Sequence, residues 1–230
     1  MQPIILVGAG SGATEVVELV RDINGAKPKY EIVGIVDDDM SKHGQVIDGV
    51  EVVGKIEKVL DHPDAGLVFC MGSYKGRFIR HSIMERVGVD LNRFINLVHP
   101  LAKVYSSATL GPGAIVHSGA VVGPDTVLRG INIIHWNTAI GARNDLGEGV
   151  IVSPNATTNA DVTIGAYSFV GSASVVVDGL KLGPGCLIAS GDTVLRDVQP
   201  GVFQMGMPPR VISREEVPES VLTKWNSDAT

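Results

Sequence analysis

From Val104 onward every sixth residue is aliphatic, and the register runs to Val194 without a slip. Fifteen of these sixteen positions are Val, Leu or Ile, with Thr158 as the exception. The position after each is the control: seven of the sixteen are Gly, and only Val177 and Leu195 are aliphatic. Four residues after each aliphatic, small side chains dominate, among them Ala108, Ala114, Ala120, Ala156, Ser168 and Ser174. A six-residue period of this kind specifies a parallel β-helix. Each hexad supplies one side of a triangular coil, the aliphatics stack along the axis, and small residues let the backbone turn. Residues three hexads apart then stack on neighbouring coils at about 4.8 Å. His117, His135 and Ser153 therefore form one outward column, and Pro124, Ala142 and Ala160 another.

Ahead of the repeat, residues 1–98 alternate apolar runs with helical patterns. Strands are expected at 3–7, 30–36, 50–53, 67–71 and 94–98, and helices at 14–23, 55–60 and 76–87. Val16, Val17, Leu19 and Val20 are the inward positions of the first helix. Strand and helix alternating at this spacing form a mostly parallel α/β sheet. The expected organisation is an α/β, Rossmann-like domain at 1–98, a β-helix at 99–212 and a polar tail at 213–230.

Composition narrows the function classes. With 19 basic and 25 acidic residues the formal charge is −6 and no basic run exists, which argues against a nucleic-acid binder. Hydrophobic residues at 44% against 19% charged describe an ordered globular chain. The opening MQPIILVGAG has no basic n-region and no stretch approaches a membrane span, so a cytoplasmic protein is expected. Cys70 and Cys186 lie far apart in apolar surroundings and read as buried free thiols. No metal is expected; His117 and His135, stacked across a trimer, are the one pair able to take an ion.

Several segments carry a family resemblance. They are VGAGSGATEVV, GIVDDD followed by GVEVVG, VFCMGS, INLVHPLAKV, DVTIGAYSFVGSASVV and MGMPPRVI. With the two-part organisation they resemble, over nearly the whole chain, the nucleotide-sugar acyltransferases related to bacterial PglD and NeuD. The resemblance implies a left-handed β-helix and transfer of acetyl from acetyl-CoA to a nucleotide-linked amino sugar for surface glycan assembly. It also implies a homotrimer with acetyl-CoA lying between adjacent β-helices.

The glycine loop supports part of this independently. Gly8-Ala9-Gly10-Ser11-Gly12-Ala13 fits GxGxxG/A between a strand and a helix, where backbone N–H groups and the helix N-terminus hold a diphosphate. The rival is NAD with Asp37 on a ribose hydroxyl, but the domain is short for two mononucleotide halves. The plain alternative is a tight strand-to-helix turn. By resemblance, Gly10, Ser11 and Gly12 contact the diphosphate or sugar, Asp37 and Asp38 hold the base, and Gly72 lets a strand end approach the ligand.

The family's catalytic His, its acidic neighbour and a second His nine positions later fall here on Ala142, Arg143 and Ile151. An engineered change, a relocated base or a loss of chemistry would each account for Ala142. If the base has relocated, His135 is the best candidate for it, because an imidazole titrates near working pH, and Asp145 on a neighbouring hexad is its expected orienting partner. The alternative for His117 and His135 is a solvated, idle corner column. Trp136 is a candidate stacking surface for a sugar or CoA, or an interface residue. By position in the family, Ile151, Ala160, Ser172 and Ser190 are the acetyl-CoA contacts. Without the family base, an amine acceptor is favoured over a hydroxyl. The alternatives are a sialic-acid-type O-acetyltransferase and a non-catalytic nucleotide-sugar-binding protein.

Overall fold

The structure is a computed structural model describing residues 1–76, 78–206 and 210–212. The polar tail expected at 213–230 lies outside the described residues.

The N-terminal strands are β1 (Gln2–Val7), β2 (Tyr30–Val36), β3 (Val46–Ile47), β4 (Val50–Gly54) and β5 (Gly66–Phe69), in the sheet order β3-β4-β2-β1-β5. All neighbours are parallel except the β3/β4 hairpin. Helix α1 (Ser11–Ala26) lays Ala13, Val16, Val17, Leu19, Val20 and Ile23 inward, as its periodicity requires. Helix α2 (Ile79–Val87) starts later than expected and ends on Gly88 in the left-handed conformation. The strand expected at 94–98 does not close this sheet. Phe94 only bridges to Leu67, while Leu97–Val98 pairs with Ile115–Val116 and opens the β-helix.

The hexads fold as the period demands. Two-residue strands stack into three parallel sheets, with partners such as Ile133 and Ile151 eighteen residues apart. The arrangement is consistent with a left-handed β-helix. Inward aliphatics from Val116 to Val194 form one buried core. Thr158, the exception, is buried there, and its hydroxyl accepts the amide of Asn144 at 2.7 Å.

The corners follow a second period. Every sixth residue from Gly113 to Gly191 has positive φ, including Asn137, Arg143, Tyr167 and Ala173. The glycines following the aliphatics serve a different purpose. A Cβ on Gly141 would overlap the Asn159 backbone of the next coil, so these positions are set by coil-to-coil approach.

The outward residues decide which face meets the α/β domain. Leu97, Ile115, Ile133 and Ile151 on the first sheet pack against α1 in one continuous apolar cluster. The matching positions on the second sheet, Val121, Ala139, Thr157 and Val175, are smaller and partly exposed. Docking is fixed further by Arg80, fully buried, which donates to the carbonyls of Ile131 and Gly149 at 2.6 Å each.

Candidate active site

The loop after β1 and the N-terminus of α1 form the floor of a cavity of about 450 Å³. Gly8, Gly10, Ser11, Gly12, Glu15, Asp37, Lys42, the segment from Cys70 to Ser73, Lys75, Gly76, Ile79 and His135 line it. Two domains therefore contribute: the glycine loop from one and His135 from the first corner of the β-helix.

The glycines have different reasons for being glycine. A Cβ on Gly12 would overlap the Cys70 carbonyl, so Gly12 allows α1 to pack on the end of β5. A Cβ on Gly10 would meet nothing within 4 Å, so no packing demand explains it. Its bareness leaves the helix N-terminus open to the cavity. That terminus has no side-chain cap and no acidic residue in its first turn, which suits an anion. Lys42 and Lys75 on the cavity wall add positive charge.

Asp37 lines the cavity, but its carboxylate is engaged within the protein. It accepts from the backbone of Ala9 at 2.7 Å and Asp39 at 2.8 Å, and pairs with Lys42 at 3.1 Å. Burial pushes this carboxyl up, and those donors outweigh burial and hold it below the usual range. Asp38 is not in the same cavity. It pairs with Arg86 at 2.6 Å beside a neighbouring cavity of about 760 Å³ lined also by Met40, His43 and Lys55. The two acidic residues expected to act together thus serve different walls.

His117 and His135 are not a solvated column. Their relative exposures are 3% and 7%, because α1 and the 70–76 segment cover that corner. The rings lie parallel, 5.2 Å between centroids, and Trp136 tilts over both. Burial disfavours the imidazolium, pushing His117 down to about 3 and His135 below its ordinary value. Both are neutral at physiological pH and keep a free lone pair. His135 Nε2 lies 3.4 Å from the Gly72 carbonyl, and its Nδ1 is buried with no partner among the described residues. Gly72, which also lines the cavity, leaves room for this ring: a Cβ there would sit 3.2 Å from Nε2.

Asp145 does not orient His135. It lies on the third sheet, where both its oxygens bind the Arg129 guanidinium at 2.7 and 2.5 Å. Ala142 and Arg143 occupy a different corner from His135, and Arg143 forms a two-pronged pair with Asp161 on the next coil, 2.7 Å for each bond. That slot has become a coil-to-coil tie.

Within one subunit the four expected acetyl-CoA contacts lie on different faces. Ile151 is fully buried in the α1 interface, so its side chain faces no ligand. Ala160 stacks above Ala142 on the second corner, while Ser172 and Ser190 stack on the first. Cys70 and Cys186 are buried thiols outside any disulfide, as expected. Burial, with Glu15 nearby, pushes the Cys70 thiol far up, which removes it as a nucleophile.

Sequence reasoning missed Glu15, Lys42 and Lys75. A usable signal was present, because the outward column Leu97, Ile115, Ile133, Ile151 marks the covered face and hence the covered corner.

No family model matches the sequence, and no curated protein does. Solved structures do match. A histidine-to-alanine variant of GDP-perosamine N-acetyl transferase from Caulobacter crescentus, in complex with CoA and GDP-perosamine, superposes with a TM-score of 0.79 at 24% identity. The match covers 92% of this chain and 97% of that one. The acetyltransferase domain of PglB from Neisseria gonorrhoeae, in complex with acetyl coenzyme A, gives 0.79 at 25% identity, covering 92% and 99%. The chain has the fold of the hexapeptide-repeat sugar acetyltransferases. WeeI from Acinetobacter baumannii superposes at 0.76 and 19% identity, covering 91% and 100%. The expected α/β domain plus β-helix is thus the architecture these acetyltransferases share.

Proposed function

We infer that the chain is an acetyl-CoA-dependent N-acetyltransferase acting on a nucleotide-linked amino sugar. One observation carries this reading: His135 of the β-helix and the glycine loop of the α/β domain line a single cavity. The loop and the α1 N-terminus suit a diphosphate, which would set the sugar against His135. The solved neighbours supply the chemistry, since one holds CoA with GDP-perosamine and another holds acetyl coenzyme A.

In this reading the sugar amine, in its neutral form, attacks the thioester carbonyl. The amine proton passes to the unprotonated ring nitrogen of the neutral His135, the tetrahedral adduct collapses, and the CoA thiolate leaves. Alignment contributes most, because proximity is worth roughly 7–11 kcal/mol while a positioned base adds about 10²–10⁴-fold. A neutral amine is already nucleophilic, so a site whose base has moved from the Ala142 slot favours amines over hydroxyls.

Acetyl-CoA is assigned to the groove between adjacent β-helices of a homotrimer. Ala160 on one subunit would face Ser172 and Ser190 on the next, which places the two corners on opposite walls. The small outward side chains of the second sheet, Val121, Ala139, Thr157 and Val175, support close approach of a second copy. A cytoplasmic role in surface glycan assembly completes the reading.

The test is thiol release from acetyl-CoA with a panel of nucleotide-linked amino sugars, for this chain, His135→Gln and Ala142→His. Turnover that His135→Gln abolishes supports the reading. Activity only in Ala142→His would make position 142 the disabled base slot. Silence from all three would favour a nucleotide-sugar-binding protein, and acetylation of a sugar without an amine would favour O-transfer.

A further inference from the structure

Between α1 and the β-helix corner lies a small, partly open gap of about 10 Å³, lined by Glu15, His117 and His135 with apolar neighbours such as Val16, Ile115 and Ile133. That is room for about one water or one ion. One ligand atom from each of the three side chains lies within 4.8 Å of the others. The His135 Nδ1 is buried without a hydrogen-bond partner among the described residues. The half-buried Glu15 carboxyl and the two unprotonated imidazoles have no cationic side chain among the residues lining this gap.

We propose that Glu15, His117 and His135 form a site for one divalent transition-metal ion of the zinc class, held between α1 and the β-helix. Two imidazoles and one carboxylate are a zinc donor set with an open fourth position, and they do not suit magnesium or calcium, which take oxygen ligands. At metal–donor distances of about 2.0–2.2 Å, tetrahedral donors stand about 3.3–3.6 Å apart, so the three groups close in by an ångström or so. The two imidazoles come from one column on successive coils, which fixes their spacing before any metal arrives. Each neutral imidazole has one free lone pair. A metal on His135 therefore removes that residue as a proton acceptor, and zinc inhibits acyl transfer. The inhibition rests on the reading of His135 as base, whereas the binding does not.

The test uses the full chain without a histidine tag, stripped with a chelator and titrated with zinc sulfate, with metal analysis after gel filtration. The expected result is one zinc retained per chain, lost in His117→Gln and in Glu15→Gln and kept in His62→Gln, an exposed histidine elsewhere. No retention, or retention that neither site variant reduces, overturns the proposal. Pulsed EPR of bound Cu²⁺ on the unmodified chain counts coordinated imidazoles directly, so the test holds if a variant fails to fold. Two imidazoles are expected, and none overturns the site. Thiol release measured alongside separates the two readings: zinc retained with undiminished turnover keeps the site and removes His135 as base.

Discussion

The ring of His135 fills the space that a side chain on Gly72 would need. A Cβ at Gly72 would stand 3.2 Å from His135 Nε2 and 3.3 Å from Cε1. A glycine of the α/β domain thus sets the position of a histidine of the β-helix.

Gly72→Ala is expected to push the imidazole by a few tenths of an ångström. Misplacement near a reacting centre lowers kcat by roughly 10- to 100-fold while leaving KM nearly unchanged. Steady-state kinetics together with a thermal melt would check this, since a simple folding defect would lower the melting temperature instead.

The two loop glycines should separate. Gly12→Ala meets the Cys70 carbonyl and is expected to destabilise the fold by roughly 1–3 kcal/mol. Gly10→Ala meets no atom and should stay within about 1 kcal/mol of the parent. It should nevertheless weaken a nucleoside diphosphate by roughly tenfold, about 1.4 kcal/mol. Denaturant melts and calorimetric titration of both variants decide the point.

Arg80 is a buried tie between the domains. Replacing it by Met leaves the carbonyls of Ile131 and Gly149 without their donor and is expected to cost roughly 3 kcal/mol. Ile131 makes the loss larger than a surface change would, because it is a β-branched residue held at φ 41°. Urea unfolding should show the loss in the midpoint.

Stability should fall in mild acid. The folded-state pKa of His117 lies near 3, below the unfolded value of about 6.5, so the unfolded chain binds a proton first as pH falls. His117 alone contributes a loss of up to about 1.4 kcal/mol per pH unit between those values, and no change above pH 7. His135, shifted the same way, steepens the slope. Unfolding free energies measured with chelator present should flatten in His117→Gln, and an unchanged slope would count against burial as the cause.

Most of the fold was legible because its information is local and repeated. The six-residue step from Val104 to Val194 sets strand, corner and coil together, and a single slip would expose every inward aliphatic. The acidic end of β2 and the glycine loop were legible for a similar reason, as short segments with fixed neighbours. Asp145 was misread because spacing gives a hexad but not a partner, and Arg129 competes for it at 2.7 Å. The burial of the Ile151 side chain under α1 was not legible, because a family slot says nothing about which face this chain covers.

The sequence by itself therefore determined the architecture: an α/β sheet joined to a β-helix, with the histidines on one column and no histidine in the Ala142 slot. Only the tertiary structure decided that this column is buried, that Gly72 makes room for His135, and that Glu15 joins His117 and His135. The reason is the range of the forces involved. Periodic burial is encoded along the chain, whereas domain docking depends on contacts such as those of Arg80 with Ile131 and Gly149, 51 and 69 residues away.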